Sequence, residues 1–258
     1  MDYLLHNKKA WNKLVESKNR WTIPVTLEEI ESARKGQLKV LLTPWKYVPV
    51  GWFPEIKNLK ILCLASGGGQ QGPVFAAAGA DVTVFDLSPN QLMQDKLTAE
   101  KYNLTLKTIE GDMADLSVFP NEYFNLIFHP VSNCFVPYIL PVWNEAFRVL
   151  KKGGVLLAGF TNPILFLFDE SDPTAEVNLS IKNKIPYSDT ESLTDEQKEL
   201  YKINGHPFEY GHTLEDQIGG QIKAGFIITG FYEDSIHQTD HPIAEFISTF
   251  IATRAVKL

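Results

Sequence analysis

Three glycines in "LCLASGGGQQGP" (residues 62–73), Gly67, Gly69 and Gly72, stand at the spacing G-x-G-x-x-G. Small residues after a strand let the backbone turn sharply and let a ligand approach main-chain groups closely. That suits the pyrophosphate of a dinucleotide, and it suits equally a nucleoside cofactor that has no phosphate. A tight strand-to-helix turn can produce the same spacing by packing alone, so the loop needs partners before it means a site.

Two carboxylates supply them. Asp86 closes the apolar run in "DVTVFDLS", nineteen residues after Gly67. An acid there can accept both hydroxyls of a ribose, each charged hydrogen bond contributing roughly 1.5–3 kcal/mol. It fits NAD and S-adenosylmethionine alike; it could also cap the next helix, although Ser88 is the better cap. Asp112, in "EGD", can accept from the exocyclic amine of adenine while the Met113 N–H meets a ring nitrogen. A dinucleotide site has less use for that acid, and an exposed turn residue is the alternative. His129, in "FHPVSN", closes a further apolar run, but nothing in the sequence supplies a partner that would make its imidazole a base. His206, His212, His237 and His241 lack the spacing of zinc ligands, so no metal is expected.

The elements that must position these residues are readable. "LKILCLAS", "DVTVFDLS", "LTLKTIEGD", "FNLIFHP" and "GVLLAGF" read as five strands. "PVFAAAGA", "PNQLMQDKLTAEKYN" and "PVWNEAFRVLKKGG" read as helices between them, the last closed by glycine. This alternation requires right-handed crossovers and a mostly parallel sheet. After Phe160 it breaks for about fifty residues, a length that usually carries function or structure of its own. A helix is then expected from Thr213, with Asp216 approximating a capping box, followed by "FIITGFYED" and "EFISTFIATRAV" as an antiparallel pair. The first 58 residues are aromatic-rich and cut by Pro24, Pro44, Pro49 and Pro54; they read as helices at about 3–18 and after Thr26, which can form a capping box with Glu29 before Gly36 stops the helix.

Composition bounds the rest. The 258 residues carry 24 Lys and Arg against 31 Asp and Glu, a net charge of −7 that argues against broad contact with nucleic acid. The bias is uneven: residues 1–60 carry eleven basic against six acidic side chains, and the remainder thirteen against twenty-five. No apolar run approaches the ~20 residues that span a bilayer, and the N-terminus is not a secretory signal. Two cysteines, Cys63 and Cys134, make neither a disulfide framework nor a zinc site, so a cytoplasmic setting is expected.

Residues 59–160 and 212–256 resemble the class I S-adenosylmethionine-dependent methyltransferases of the broad type 11 group. The resemblance rests on "ILCLASGGG", "VTVFDLSPNQL", "TIEGDMADL", "YFNLIFHPVS", "AFRVLKKGGVLLAGF" and "DQIGGQIKAGFIITGFYED", in the family's order and spacing. It implies a Rossmann-like α/β fold: a mostly parallel seven-stranded sheet with an antiparallel last strand. A helical cap over 1–58 would precede the cofactor-binding domain 59–258, which carries a lid-like insertion at 161–211. It implies S-adenosylmethionine as cofactor, with Ala65, Ser66 and Gly67 lining its methionine, Asp86 on its ribose and Leu87 packed on adenine. Asp112 and Met113 would read the adenine edge, His129 would lie near the methionine end, and Gln71 is counted with them. The acceptor would be a small molecule held among the aromatics of the two added segments; "HPVS" is not the Asp/Asn-Pro-Pro-aromatic motif of enzymes that methylate nucleic-acid bases. One position departs from the pattern. Where the family carries an acid that orients the loop and the cofactor's ammonium, two residues before Ala65, this chain has Cys63, whose thiol cannot replace that charge. The alternatives are an NAD-dependent oxidoreductase, which the glycine spacing permits, and a non-catalytic cofactor- or RNA-associated module using the basic N-terminal region.

Overall fold

Ile61 and Cys63 enter one apolar core while Leu62 and Leu64 enter another, the period-two signature of a strand buried on both faces. This strand, β1 (Lys60–Leu64), lies at the centre of the computed structural model, which describes residues 2–168, 179–236 and 241–258. Helices α1 (Tyr3–Glu16) and α2 (Leu27–Arg34) precede it, and α2 opens with the expected capping box between Thr26 and Glu29. After it come α3 (Gln71–Ala77), β2 (Asp81–Asp86), α4 (Pro89–Tyr102), β3 (Leu106–Glu110), β4 (Phe124–His129), α5 (Leu140–Val149) and β5 (Leu150–Thr161). The segment beyond holds a two-stranded ribbon, β6 (Tyr187–Ser188) with β7 (Tyr210–Gly211), around the short α6 (Asp189–Ser192) and α7 (Asp195–Asn204). Helix α8 (Gly220–Ala224) leads to β8 (Phe226–Asp234) and β9 (Phe250–Lys257).

The main sheet has seven strands in the order β3-β2-β1-β4-β5-β9-β8. Ladders from β3 through β5 are parallel, and β9 runs antiparallel to both neighbours. The order reverses between β1 and β4, where the carboxyl ends of the strands open a crevice. Helices α2, α3 and α4 cover one face through Ala33, Phe75 and Leu92; α5 covers the other through Val142, Trp143, Ala146 and Val149. Trp143 is fully buried and donates its indole N–H to the Asp216 carbonyl at 3.0 Å.

Three boundaries differ from those expected. Helix α5 stops at Val149 rather than running to the glycines: Leu150 is fully buried and already pairs with Phe124. The intervening residues form a bulge turned by Gly153 at φ +74°, and the ladder resumes at Leu126 and Val155. The helix from Thr213 is capped as expected, the Asp216 N–H donating to Thr213 Oγ1 at 3.0 Å, but Glu215–Gly219 wind as a π-turn before α8. Just beyond it Gly220 lies so close to α5 that a Cβ would stand 2.8 Å from Leu140 and Trp143. Strand β9 begins only at Phe250, because a 3-10 turn over Pro242–Glu245 engages the Phe246 and Ile247 N–H groups with the Ile243 carbonyl instead of a ladder.

Candidate active site

The glycine loop sits where β1 hands over to α3, and each motif glycine has its own reason. Gly69 takes φ +73°, and a Cβ there would meet Thr98 Oγ1 at 2.6 Å. Gly67 has no left-handed backbone; a side chain on it would strike Gln91 Cβ at 2.7 Å and crowd the Asp86 carboxylate at 3.2 Å. At Gly72 a Cβ would reach Val84 Cγ2 at 2.6 Å and Asp95 Oδ1 at 3.1 Å. The spacing that suggests a dinucleotide therefore has a packing cause: the loop is wedged against α4 and the end of β2. Ala65, at φ +47°, makes the turn out of the strand and donates its N–H to the Phe85 carbonyl at 2.7 Å.

Asp86 holds this turn from the cavity side. Its Oδ2 accepts the Gly67 N–H and its Oδ1 the Ser88 N–H, both at 2.9 Å. Burial pushes its pKa up, against the pull of those amides. Ser88 is the N-cap of α4, accepting from Gln91 N at 3.1 Å, so the competing role of Asp86 as cap is not needed. Asp112 accepts the Ala114 N–H at 3.0 Å through Oδ1, leaving Oδ2 without a protein donor among the described residues. Burial, then the neighbouring Asp115 charge, raises its pKa.

Above the crevice, the cap and the segment after β5 meet. Asn7 of α1, 1% exposed, donates to the Phe208 carbonyl at 3.0 Å and the Phe135 carbonyl at 3.2 Å, and accepts the Phe208 N–H at 2.8 Å. His6 stacks on Phe208 with centroids 3.8 Å apart. The turn at residues 20–25 clamps the loop itself: Val25 N donates to the Gly69 carbonyl at 3.0 Å, and the Gln70 amide donates to the Ile23 carbonyl at 3.0 Å. Next to this clamp the Arg20 guanidinium lies between two indoles, 4.2 Å from the Trp21 ring centre and 4.4 Å from that of Trp45.

Beneath this roof is a cavity of about 800 Å³ that runs from the glycine loop to an aromatic chamber. Ala65, Ser66, Gly67 and Gln71 line it at the loop; Asp86, Leu87, Asp112 and Met113 line it along the strand ends. The structure thus brings together eight of the nine residues singled out from the sequence. His129 is the exception. It is fully buried behind the wall, with Nδ1 3.0 Å from the Leu64 carbonyl and Nε2 2.5 Å from Asn133 Oδ1. Burial lowers its pKa, and Asn133 continues inward to Gln217 at 2.8 Å, so the imidazole belongs to a buried polar chain linking β4 to the π-turn. At the chamber end, Phe166 stacks on Tyr187 at 5.7 Å, with Phe168, Phe250 and Cys134 nearby on the wall.

The donor set fits an adenosyl ligand. Gln91 Oε1 and Ser66 Oγ are buried polar atoms on residues of the wall and have no nitrogen or oxygen partner, as expected of groups awaiting a polar ligand. Two acids, Asp86 and Asp112, line the cavity at the strand ends, and among the described residues no lysine or arginine lines it there. Among the described residues no group of three His, Cys, Asp or Glu side chains could hold a metal ion; His237 lies outside them. Likewise no described helix is long and apolar enough to cross a membrane.

Two residues escaped the sequence reading. Asn7 left no signal beyond being one amide in a charged helix. Asp95 did: with Leu92, Ala99 and Tyr102 it stands on the buried stripe of α4, where an acid is out of place.

Comparison with known proteins identifies the family. Residues 62–158 match the family model for a methyltransferase domain. Over 253 residues the chain is 54% identical to the uncharacterized methyltransferase YbaJ of Bacillus subtilis, covering 98% of each. It is 32% identical over 117 residues to a sterol 24-C-methyltransferase of Pneumocystis carinii, covering 45% of this chain and 30% of that one. An S-adenosylmethionine-dependent methyltransferase structure from Mesorhizobium loti superposes with a TM-score of 0.61 at 18% identity, covering 80% of this chain and 94% of that one. Identity as high as that to the Bacillus protein, sustained end to end, carries family membership with it: the chain belongs to the S-adenosylmethionine-dependent methyltransferases, with S-adenosylmethionine as its cofactor.

Proposed function

We propose that the protein transfers the cofactor's methyl group to a small-molecule acceptor held in the aromatic chamber, by in-line attack on the sulfonium methyl. The observation that carries this reading is the continuity of one cavity of about 800 Å³, walled by the glycine loop at one end and by Phe166, Phe168 and Tyr187 at the other. In this assignment Ala65, Ser66, Gly67 and Gln71 hold the methionine part, Asp86 the ribose, Leu87 the adenine face, and Asp112 with Met113 the adenine edge. His129 receives no contact, since both its nitrogens are already engaged. Residues 2–58 act as the cap, and the described residues of 161–211 act as the lid over the acceptor; residues 169–178 of that range lie outside the described residues.

The cofactor supplies an electrophilic methyl, so the chain's task is to orient an acceptor and keep water out. Orientation of this kind supplies roughly 7–11 kcal/mol in the most favourable systems. The roof built by Asn7, His6 and Phe208 and the apolar chamber wall perform both functions. An apolar acceptor suits that wall, and it is what the sterol methyltransferase among the relatives is named for. With His129 removed from the cavity, the wall offers Asp189, Glu209 and His206 as titratable groups at the chamber end. Asp189 is committed to the Tyr187 hydroxyl at 2.8 Å and the Glu209 N–H at 2.7 Å, which makes it a structural acid rather than a base.

The test is methyl transfer from radiolabelled S-adenosylmethionine into a mixed extract, followed by size fractionation. Label is expected in the low-molecular-weight fraction. Label appearing only in RNA or protein would overturn the small-molecule reading, and retention of RNA at low salt with a steep salt dependence would favour the RNA-associated alternative.

A further inference from the structure

We propose that Asp95 is a positioning residue for the methyl donor: from beneath the glycine loop its carboxyl group accepts the Gly68 N–H and so helps set the shape of the loop that seats the donor. The proposal rests on the loop being the cofactor's seat.

Asp95 is fully buried, a costly location for an acid unless the acid does something. Its Oδ2 accepts the Gly68 N–H at 2.9 Å, and the Gly69 amide also faces the carboxylate. Gly68 sits at φ +121° and Gly69 at φ +73°, so these peptides have no helix or ladder to direct them. Asp95 Oδ2 is the nearer of two acceptors for the Gly68 N–H, the other being the Gln91 carbonyl at 3.2 Å, and the Gly69 carbonyl is held by the Val25 N–H at 3.0 Å. On the opposite side Asp86 takes the preceding amide, that of Gly67, at 2.9 Å. Two carboxylates thus grip consecutive N–H groups from the two sides of the loop, and only one of them lines the cavity. Oδ1 of Asp95 has no hydrogen-bond partner, and Gly72 leaves it room: a Cβ there would crowd it at 3.1 Å.

The groups acting on Asp95 are few. Asp86 at the end of β2 adds a like charge, and Asp95 acts in turn on the Cys63 thiol in β1, which also meets Ser66. No Lys, Arg or His is among the groups that shift it. Burial first, and then Asp86, raise its pKa to about 8, so near neutrality it is largely a neutral acceptor. An amide oxygen of the same shape should therefore substitute for it, whereas removing the acceptor should not be tolerated by the loop.

Calorimetric titration with S-adenosylhomocysteine on wild type, Asp95→Asn and Asp95→Ala separates these cases, together with the Gly68 amide signal in a ¹⁵N–¹H spectrum followed from pH 6 to 9. Asp95→Ala is expected to weaken binding about tenfold, the scale of one buried hydrogen bond lost, the Gly68 N–H keeping only its longer bond to the Gln91 carbonyl, while Asp95→Asn stays within about threefold. The Gly68 amide of wild type should titrate with a midpoint near 8, and that of Asp95→Asn should not move. A folded Asp95→Ala protein that binds like wild type overturns the proposal. So does an Asp95→Asn protein that loses as much as Asp95→Ala, or a wild-type Gly68 amide insensitive to pH. Should Asp95→Ala not fold, the Asn variant and the amide titration still decide. Failure of wild type to bind S-adenosylhomocysteine at all would instead refute the cofactor seat itself.

Discussion

Asp86 serves two partners. Its oxygens stitch Gly67 and Ser88 together, and a carboxylate has lone pairs left for the ribose hydroxyls that the proposed assignment gives it. Asp86→Ala is therefore expected to weaken S-adenosylhomocysteine binding at least about tenfold, from one or two charged hydrogen bonds lost. Calorimetry measures this directly, and unchanged affinity would remove Asp86 from the site. Asp86 and Asp112 were legible because each stands at the carboxyl end of a segment that reads as a strand, Asp86 as its last residue and Asp112 two residues beyond it. His129 was legible by the same logic and yet does not reach the cavity: its ring turns inward because the Leu64 carbonyl and Asn133 offer it partners that no linear pattern reveals. Asp95, thirty-two residues after Cys63, left its clue in its place on an apolar helical stripe.

Helices, strands and loops were readable wherever one face decided the pattern. Strands β1 to β4 and the capping box at Thr26 followed from alternation and side-chain chemistry alone. Boundaries failed where tertiary packing overrode local preference, as at Leu150, whose burial takes "KKGG" out of the helix and into a bulge of β5, and at Gly220, which must pass close to Trp143. The glycine loop gives an element-scale prediction. Gly69→Ala places a Cβ at φ +73° and 2.6 Å from Thr98 Oγ1, so it should destabilise by more than about 1 kcal/mol in urea unfolding. Equal stability would show that α4 yields more readily than its packing implies. The roof gives another. Asn7→Leu strands the Phe208 N–H and two carbonyls, at about 1–3 kcal/mol per unsatisfied group. Faster hydrogen exchange at Phe208 is the expected readout, and unaltered protection there would mean the cap and the lid are joined by other contacts.

Across the whole molecule, buried ionisable groups oppose one another. Burial raises the pKa of Asp86, Asp95, Asp112 and Asp189, so the native state holds protons that the unfolded chain has released above its ordinary carboxylate range. Their contribution is complete below that range and is lost as pH rises, for Asp95 through the window from 3.8 to about 8. Burial lowers the pKa of His6, His129 and His212, which act in the other direction: stability is lost as pH falls below 6.5 and the unfolded histidines take up protons. Asp95→Asn should accordingly flatten the decline of stability between pH 6 and 8, measured by denaturant midpoints; the same slope in the variant would contradict the assignment. The fold class was legible at this scale because strand–helix alternation leaves few topologies. The meeting of α1 with the segment after β5 over the crevice was not, since it depends on pairs such as Asn7 and Phe208 that stand 201 residues apart.

The most direct test of the account is a crystal structure with S-adenosylhomocysteine bound. The expected result is the ribose on Asp86, the adenine edge on Asp112 and Met113, and the sulfur opening toward the chamber of Phe166 and Tyr187. A ligand whose adenine lies away from Asp112, or whose sulfur faces a wall closed to that chamber, would contradict it.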